Sequence, residues 1–274
     1  MIYYLLLSKS GYSGAVNIVT NDEFLKNDLL IYYCPFAKLL IDRESNEYPT
    51  FEYYIYGKTS YSYYEGQKID KEDPLFAISK ILSRNLYALE SSIILHAALL
   101  EWNGEGVILI APSGTGKTTL SRYLIEHGFK YISDDYVMIT EDGKCTQNII
   151  TPMRLRLGGL DVLKQEDICF DESLQRTYYG GKARYLYIPK DSQISKYKRT
   201  PIKSIIYIYR HSFLCESCKM SKAELFHCLL TNSAVSENSN SLFIKKYIKL
   251  LDVDGVIIKY NDFGGFLREL NKYL

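Results

Sequence analysis

The sequence lacks an excess of charge of either sign. Its 33 lysine and arginine residues are balanced by 32 aspartate and glutamate residues, so the formal net charge is +1. Nucleic-acid backbones and anionic membrane surfaces both favour proteins with a global basic excess. We therefore expect no nucleic-acid and no membrane partner, whereas a small anionic ligand is compatible with this balance.

Long hydrophobic runs are also missing. The first residues, 1–7, form a very short apolar run without a basic leader or a small-residue cleavage pattern, so we expect no signal peptide. Nothing further along approaches the roughly 18 consecutive apolar residues that a membrane-spanning helix needs. We expect a cytoplasmic protein in which the six cysteines are reduced thiols and not a disulfide framework.

Tyrosine, in contrast, is plentiful, with 26 residues in the chain. In residues 1–70, short tyrosine-rich runs alternate with turn-forming residues, which predicts a small antiparallel sheet. Its tyrosines suit half-buried strands, and a peptide-recognition surface is the alternative. The predicted strands are 2–7, 29–33, 38–41, 51–56 and 61–64.

A helix should follow this sheet. Asp73 is suited to its N-cap, Pro74 to its first position, and apolar residues recur at helical spacing to about Ser91. We predict an α/β protein with a small β-rich N-terminal subdomain over 1–90 and a mixed-sheet core domain over 91–274.

The most informative stretch is 106–120, where an apolar run leads into a glycine-rich loop and a helix-compatible segment. This order is typical of a phosphate-binding P-loop, although Ala111 stands where the first glycine is usual; an ordinary glycine-rich turn is the alternative. Backbone N–H groups can face phosphate oxygens, Lys117 can reach the outer phosphates, and the Thr118 hydroxyl can ligate Mg²⁺. The predicted nucleotide-binding residues are Ser113, Gly114, Thr115, Gly116, Lys117, Thr118 and Thr119.

Two adjacent carboxylates, Asp134 and Asp135, end the strand that follows the P-loop helix. Open α/β sheets bind ligands at such strand ends. Phosphoryl transfer to an alcohol needs a carboxylate or water link to Mg²⁺ and gains from a base that takes the hydroxyl proton. The pair can supply both, and a solvated strand-ending turn is the alternative. His96, on a predicted strand over 93–101, is a further candidate, with a core histidine as its alternative.

Additional cations are expected near a transferring phosphoryl group, because negative charge spreads over its equatorial oxygens. Lys182 and Arg184, in a glycine-containing loop, are the first candidates, and Arg154 and Arg156 are the second; solvated surface charge is the alternative for each. Residues 211–228 contain two histidines and three cysteines, but their spacing favours idle thiols over a zinc site.

The motifs resemble the catalytic domain of HPr kinase/phosphorylase and its kinase relatives, and the P-loop with its aspartate pair is also similar to that of phosphoenolpyruvate carboxykinases. The segments that carry the resemblance are His96-Ala97-Ala98-Leu99-Leu100, Gly104-Glu105-Gly106-Val107-Ile108-Leu109-Ile110, Ser113-Gly114-Thr115-Gly116-Lys117-Thr118-Thr119 and Gly128-Phe129-Lys130-Tyr131-Ile132-Ser133-Asp134-Asp135. The close match covers about 45 residues and is specific for the nucleotide site.

The resemblance implies a kinase that uses ATP and Mg²⁺ to phosphorylate a serine of a peptide or protein. It implies catalytic roles for Asp134, Asp135, His96 and Lys117, and a metal site at Thr118 and Asp135. The family's later Glu-Ile-Arg-Gly-Leu-Gly signature corresponds at best to 154–159, which has no glutamate. Phosphorylase activity is therefore not expected, and the monofunctional kinases of ribosomally made peptides, such as lasso-peptide kinases, are the more similar relatives.

Two other functions stay open from the sequence: a nucleotide-binding regulatory or assembly module without an alcohol acceptor, and a small-molecule kinase. The sequence also leaves open which aspartate is the base, which phosphoryl donor is used and whether the chain forms a homo-oligomer.

Overall fold

The computed structural model describes the chain in separate stretches. These are residues 2–8, 15–32, 37–41, 48–56, 59–69, 74–75, 77–78, 81, 93–140, 142–148, 150, 153–168, 175–179, 182–187, 189–233 and 241–274. Within them the chain combines mixed β-sheets with several helices. The predicted α/β class, with mixed sheets and a small N-terminal sheet, is confirmed.

The described strands and helices are numbered here in chain order. The strands are β1 (Ile2–Ser8), β2 (Ala15–Thr20), β3 (Ala37–Ile41), β4 (Thr50–Tyr56), β5 (Thr59–Tyr64), β6 (Gln67–Ile69), β7 (Ile93–Leu95), β8 (Ala98–Trp102), β9 (Glu105–Ile110), β10 (Lys130–Ser133), β11 (Val137–Ile139), β12 (Cys145–Gln147), β13 (Met153–Arg156), β14 (Gln175–Tyr179), β15 (Lys182–Tyr187), β16 (Arg199–Arg210), β17 (Glu216–Lys219) and β18 (Asp254–Tyr260). The helices are α1 (Glu23–Tyr32), α2 (Lys117–Glu126), α3 (Leu157–Gln165), α4 (Lys222–Thr231), α5 (Ser241–Leu250) and α6 (Phe263–Leu270).

The chain divides into two compact units. Unit 1 comprises Met1–Leu89 and Glu172–Ile188, and unit 2 comprises Glu90–Asp171 and Pro189–Leu274. This division differs from the predicted one, 1–90 and 91–274, in the segment 172–188, which contains the antiparallel hairpin of β14 and β15.

Unit 1 contains a six-stranded sheet in the order β3-β1-β2-β4-β5-β6. The predicted all-antiparallel sheet is wrong in one pair, because β2 and β4 are parallel. The predicted strand over 29–33 is also wrong, since Leu29 belongs to helix α1. There Leu25 and Leu29, four residues apart, are both buried in the core of the unit, so helical spacing prevails over β propensity. Most of the predicted helix over 73–91 lies outside the described residues.

Unit 2 is built on a larger mixed sheet in which β16 is central. β16 runs parallel to β9 and to β18, and its first residues pair with β12 in the antiparallel direction. The β8–β9 hairpin turns at Asn103 and Gly104, which both have positive φ, 51° and 85°, as a tight two-residue turn requires. Helix α4 begins after Ser221, whose hydroxyl accepts a hydrogen bond from the Glu224 N–H. Among the helices in the described stretches, none is long and apolar enough to cross a membrane.

Candidate active site

The strand register of unit 2 brings three predicted motifs to one edge of the sheet. β8 is antiparallel to β9, so its first residue, Ala98, lies opposite Leu109 near the end of β9. β10 is antiparallel to β8, and its last residue, Ser133, lies opposite Leu99. The residues just before β8, just after β9 and just after β10 therefore lie at the same edge of the sheet. These three positions carry the histidine, the P-loop and the aspartate pair.

The P-loop joins β9 to α2 with two glycines in the left-handed region. Gly114 has φ of 88° and Gly116 has φ of 99°, a conformation that costs other residues free energy. Gly116 is the N-cap of α2 and has no side chain to satisfy the first N–H groups of the helix. Uncapped N–H groups and the positive end of the helix dipole favour an anion at this position.

The loop is supported by hydrogen bonds of its own and by β18. The Thr115 N–H and hydroxyl both donate to the Pro112 carbonyl, at 3.2 and 2.8 Å. The Tyr260 hydroxyl, at the end of β18, donates to the Thr115 carbonyl at 3.2 Å. Burial raises the pKa of Tyr260, which keeps its hydroxyl protonated as a donor.

Lys117 is the first residue of α2, and its side chain is largely buried. Burial lowers the pKa of the ammonium, while the nearby carboxylates Asp134 and Asp135 partly oppose this shift. This ammonium offsets part of the negative charge of the two carboxylates at the same edge.

Asp134 is the most deeply buried charged group of the site, with 1% of its surface exposed. Its Oδ2 accepts a hydrogen bond from Thr118 Oγ1 at 2.7 Å, whereas its Oδ1 is buried and makes no hydrogen bond within the described part of the chain. Burial, followed by the charge of Asp135, raises the pKa of Asp134 to about 6. A buried carboxylate oxygen without a partner, next to a threonine hydroxyl, fits a hard cation such as Mg²⁺ or a water molecule bound to it.

Asp135 is more exposed to solvent than Asp134, with 22% of its side chain accessible. Its Oδ2 lies 3.3 Å from Nη1 of Arg154, which projects from β13. Two residues further along β13, Nη2 of Arg156 contacts Ser113 Oγ at 3.4 Å, at the long end of the hydrogen-bond range. One strand thus brings one guanidinium to the aspartate pair and another to the P-loop.

Of the four basic residues that the sequence suggests, Arg154 and Arg156 lie at the site in the described structure. Lys182 and Arg184, which the sequence favoured, belong to β15, and their side chains lie outside the described residues. Their catalytic roles stay a prediction.

His96 occupies a bend between β7 and β8, so the predicted continuous strand over 93–101 is wrong at this point. The bend is held by the His96 N–H, which donates to the carbonyl of Asn232 at 2.8 Å. The residue is solvent-accessible on one side, yet burial is still the main cause that lowers the pKa of its ring. The Lys117 ammonium lowers this pKa further, and Asp135 raises it. His96 is accordingly a neutral imidazole at neutral pH.

Helix α3 packs closely against α2 through a glycine. A Cβ atom at Gly159 would lie 2.7 Å from Thr119 Oγ1, whereas one at Gly158 would meet nothing within 4 Å. Because α3 directly follows β13, this close contact also fixes the position of Arg154 and Arg156.

Sequence reasoning missed the supporting residues Tyr260, Gly159 and Asn232. A signal existed for Tyr260, because it follows the short apolar run 256–258, which is typical of a strand, and parallel strands end at a common edge. Gly159 and Asn232 act through contacts between elements distant in sequence, which no local pattern indicates.

The cysteines and histidines of residues 211–228 do not form a metal site in the described stretches. No group of three or more histidine, cysteine, aspartate or glutamate side chains that could hold a metal occurs among the described residues. Cys215 Sγ donates to Asn261 Oδ1 at 2.7 Å. Burial raises the pKa of Cys228 to about 12, which keeps it a thiol and not a thiolate ligand.

Comparison with known proteins gives a partial similarity. A family described as SynChlorMet cassette protein ScmC matches residues 70–152, less than a third of the chain, and this segment contains His96, the P-loop and both aspartates. No curated protein matches the chain. The solved Hpr(Ser) kinase/phosphatase from Coxiella burnetii is 11% identical, with a TM-score of 0.33, over 65% of this chain and 94% of that one. At that score no structural argument rests on it, and the chain is similar to the ScmC family only over the segment that carries the candidate site.

Proposed function

We propose that this chain is an ATP- and Mg²⁺-dependent kinase that transfers the γ-phosphoryl group to a serine hydroxyl of a peptide or protein. The observation that carries the proposal is the 2.7 Å hydrogen bond from Thr118 Oγ1 to Asp134 Oδ2. It joins the start of a P-loop helix to a carboxylate pair, which is the combination that phosphoryl transfer to an alcohol requires.

In this proposal the P-loop holds the triphosphate. Backbone N–H groups of residues 113–118 bind its oxygens, and the Lys117 ammonium and the Arg156 guanidinium supply positive charge. Lys117 is buried at the start of α2, and the exposed Arg156 side chain contacts Ser113 in the loop. Cations at these positions stabilise the charge that spreads over the transferred group.

Thr118 and Asp134 would hold the Mg²⁺ ion, which supplies neutralisation of phosphate charge when bound. The sequence predicts Asp135 for this role, but Asp134 is the aspartate that accepts a hydrogen bond from Thr118. Its second oxygen is buried without a hydrogen-bond partner among the described residues. These two facts favour Asp134 as the carboxylate on the metal side.

Asp135 is then the general base. It accepts the serine hydroxyl proton while the serine oxygen forms a bond to the γ-phosphorus and the bond to the β,γ-bridging oxygen breaks, releasing ADP. Arg154, 3.3 Å away, orients its carboxylate, and the neutral ring of His96 is suited to hydrogen bonding beside it. Serine as the acceptor rests on the resemblance of the motifs, not on this geometry.

The test is phosphate transfer to candidate peptides, such as short peptides encoded beside this gene, followed by mass spectrometry. We expect a phosphoserine that forms only with ATP and Mg²⁺. Lys117→Ala should abolish it together with nucleotide binding, whereas Asp135→Asn should abolish transfer and retain nucleotide binding.

Other outcomes favour the remaining functions. A labelled metabolite without a labelled peptide would identify a small-molecule kinase. Nucleotide binding that is lost in Lys117→Ala, with no acceptor labelled by the wild type, would support a regulatory module and contradict the kinase.

A further inference from the structure

The sheet of unit 1 carries tyrosines on the face that does not pack on its core. Side chains alternate along β4 and β5, and the residues that face the core are buried, as Phe51 and Ser62 illustrate with 0% and 4% exposure. The other face is defined here as the tyrosine face. It consists of Glu52, Tyr54, Tyr56, Tyr61, Tyr63 and Lys68.

The rings on this face form the walls of an open groove. Tyr54 lies opposite Tyr61 in the strand register, and the ring centroids of Tyr54 and Tyr63 and of Tyr56 and Tyr61 are 6.3 and 6.1 Å apart. The groove has a volume of about 590 Å³, within the range of ligand-binding clefts. Tyr56 is 61% exposed, so packing of the core does not account for its presence.

The residues that line the groove favour a cation. Glu52 contributes a carboxylate, whose Oε2 accepts a hydrogen bond from the Tyr54 hydroxyl at 2.7 Å. Aromatic rings attract cations to their negative faces. The chain itself provides an example, because Lys68 Nζ lies 5.4 Å from the centroid of the Tyr61 ring.

We propose that the tyrosine face binds an arginine or lysine side chain of a peptide. Among the described residues that line the groove, Glu52 carries a charge and Lys68 is not included, so the lining favours a cationic over an anionic ligand. The groove is larger than a single side chain, so the peptide backbone on either side can bond to the tyrosine hydroxyls. That this peptide is also the phosphate acceptor rests on the proposed kinase function.

The experiment measures fluorescence anisotropy of a labelled twelve-residue peptide of glycine, serine and arginine, without nucleotide. The matched control peptide has citrulline, a neutral isostere, in place of every arginine. We expect the arginine peptide to bind about tenfold more tightly than the citrulline peptide. Tyr61→Leu, which keeps apolar bulk but loses the ring, and Glu52→Gln should each weaken binding of the arginine peptide about threefold to tenfold.

Two further variants complete the design. Lys68→Gln removes the ammonium that already lies over Tyr61 and should tighten binding about twofold to threefold. Tyr209→Ala, at a tyrosine of β16 that is 51% exposed, should leave binding of the arginine peptide unchanged. Equal binding of both peptides, no binding of either, or equal losses in Tyr209→Ala and Tyr61→Leu would overturn the proposal.

Failure here is distinct from failure of the kinase proposal. Lys117→Ala, which removes nucleotide binding, should leave binding of the arginine peptide unchanged. If the peptide binds but no acceptor is ever phosphorylated, the proposal for the tyrosine face is supported and the kinase proposal is contradicted. If wild type and Tyr61→Leu phosphorylate an acceptor equally well and bind the arginine peptide equally, the proposal for the tyrosine face is contradicted and the kinase proposal is supported.

Discussion

At the scale of single residues, Asp134 combines a structural cost with a proposed function. Its carboxylate is buried, and one oxygen has no hydrogen-bond partner in the described part of the chain, so ionisation is destabilising because desolvation penalises the charge. Proteins retain such groups mainly where charge is needed for binding or chemistry. Asp134 should therefore lower the stability of the nucleotide-free chain and be required for activity.

The first prediction concerns this cost. The pKa of Asp134 is raised to about 6 in the folded chain. Protonation of Asp134 therefore adds to the free energy of unfolding at low pH, and this stabilisation is lost as the pH rises from about 4 through about 6. Asp134→Asn should increase the free energy of unfolding by about 2 kcal/mol near pH 7.5 and by little near pH 4. Urea unfolding without Mg²⁺, at both pH values, measures the difference. An equal effect of Asp134→Asn at the two pH values would contradict this assignment.

The second prediction separates the two aspartates. Asp134→Asn should raise the Mg²⁺ concentration needed for half-maximal activity by about tenfold or more, because it removes a charged group from the proposed metal side. Asp135→Asn should lower kcat by at least about 100-fold with little change in that Mg²⁺ requirement, because it removes the base. Steady-state rates over a Mg²⁺ titration provide the measurement, and the reverse pattern would exchange the two roles.

At the scale of elements, the contact of α3 with α2 explains how β13 is held. The third prediction compares Gly159→Ala with Gly158→Ala, since both place alanine in the first turn of α3. Gly158→Ala has open space and should gain about 0.5–1 kcal/mol in stability from helix propensity. Gly159→Ala meets Thr119 and should be about 1–3 kcal/mol less stable than Gly158→Ala.

The same pair of variants also tests how the site is positioned. Only Gly159→Ala should raise the KM for ATP, because displacing α3 moves the guanidinium of Arg156 away from the P-loop. Thermal unfolding and ATP titrations measure the two effects, and equal behaviour of both variants would show that the α2–α3 contact is not critical.

Elements that form through local interactions could be predicted from the sequence, whereas features that depend on contacts between distant residues could not. The order of strand, glycine-rich loop and helix over 106–120 follows from local patterns, and this prediction is confirmed. The break at His96 could not be predicted, because no glycine or proline marks a turn between 93 and 101 and the chain bends through a hydrogen bond to Asn232. The pairing of Arg154 with Asp135 likewise depends on how β13 packs, which spacing along the chain does not reveal.

At the scale of the whole molecule, the single tryptophan, Trp102, reports on one unit only. It lies in unit 2, and its ring packs 4.6 Å from that of Phe129. The fourth prediction is that Mg²⁺ and ATP at about 100 times the Kd raise the Tm seen by tryptophan fluorescence by about 5–10 °C. Lys117→Ala should show no rise, and chelation of Mg²⁺ should reduce it. A rise in Lys117→Ala as large as in the wild type would place nucleotide binding elsewhere.

The connectivity of the two units has a practical meaning for cutting the chain. Because 172–188 groups with 1–89, the polypeptide passes from one unit to the other three times, after Leu89, after Asp171 and after Ile188. A single proteolytic cut at any of these points leaves at least one segment of unit 1 covalently joined to unit 2. A truncated protein that starts at residue 91 would keep the β14–β15 hairpin but lose the rest of the unit to which that hairpin belongs, so neither unit corresponds to one continuous fragment.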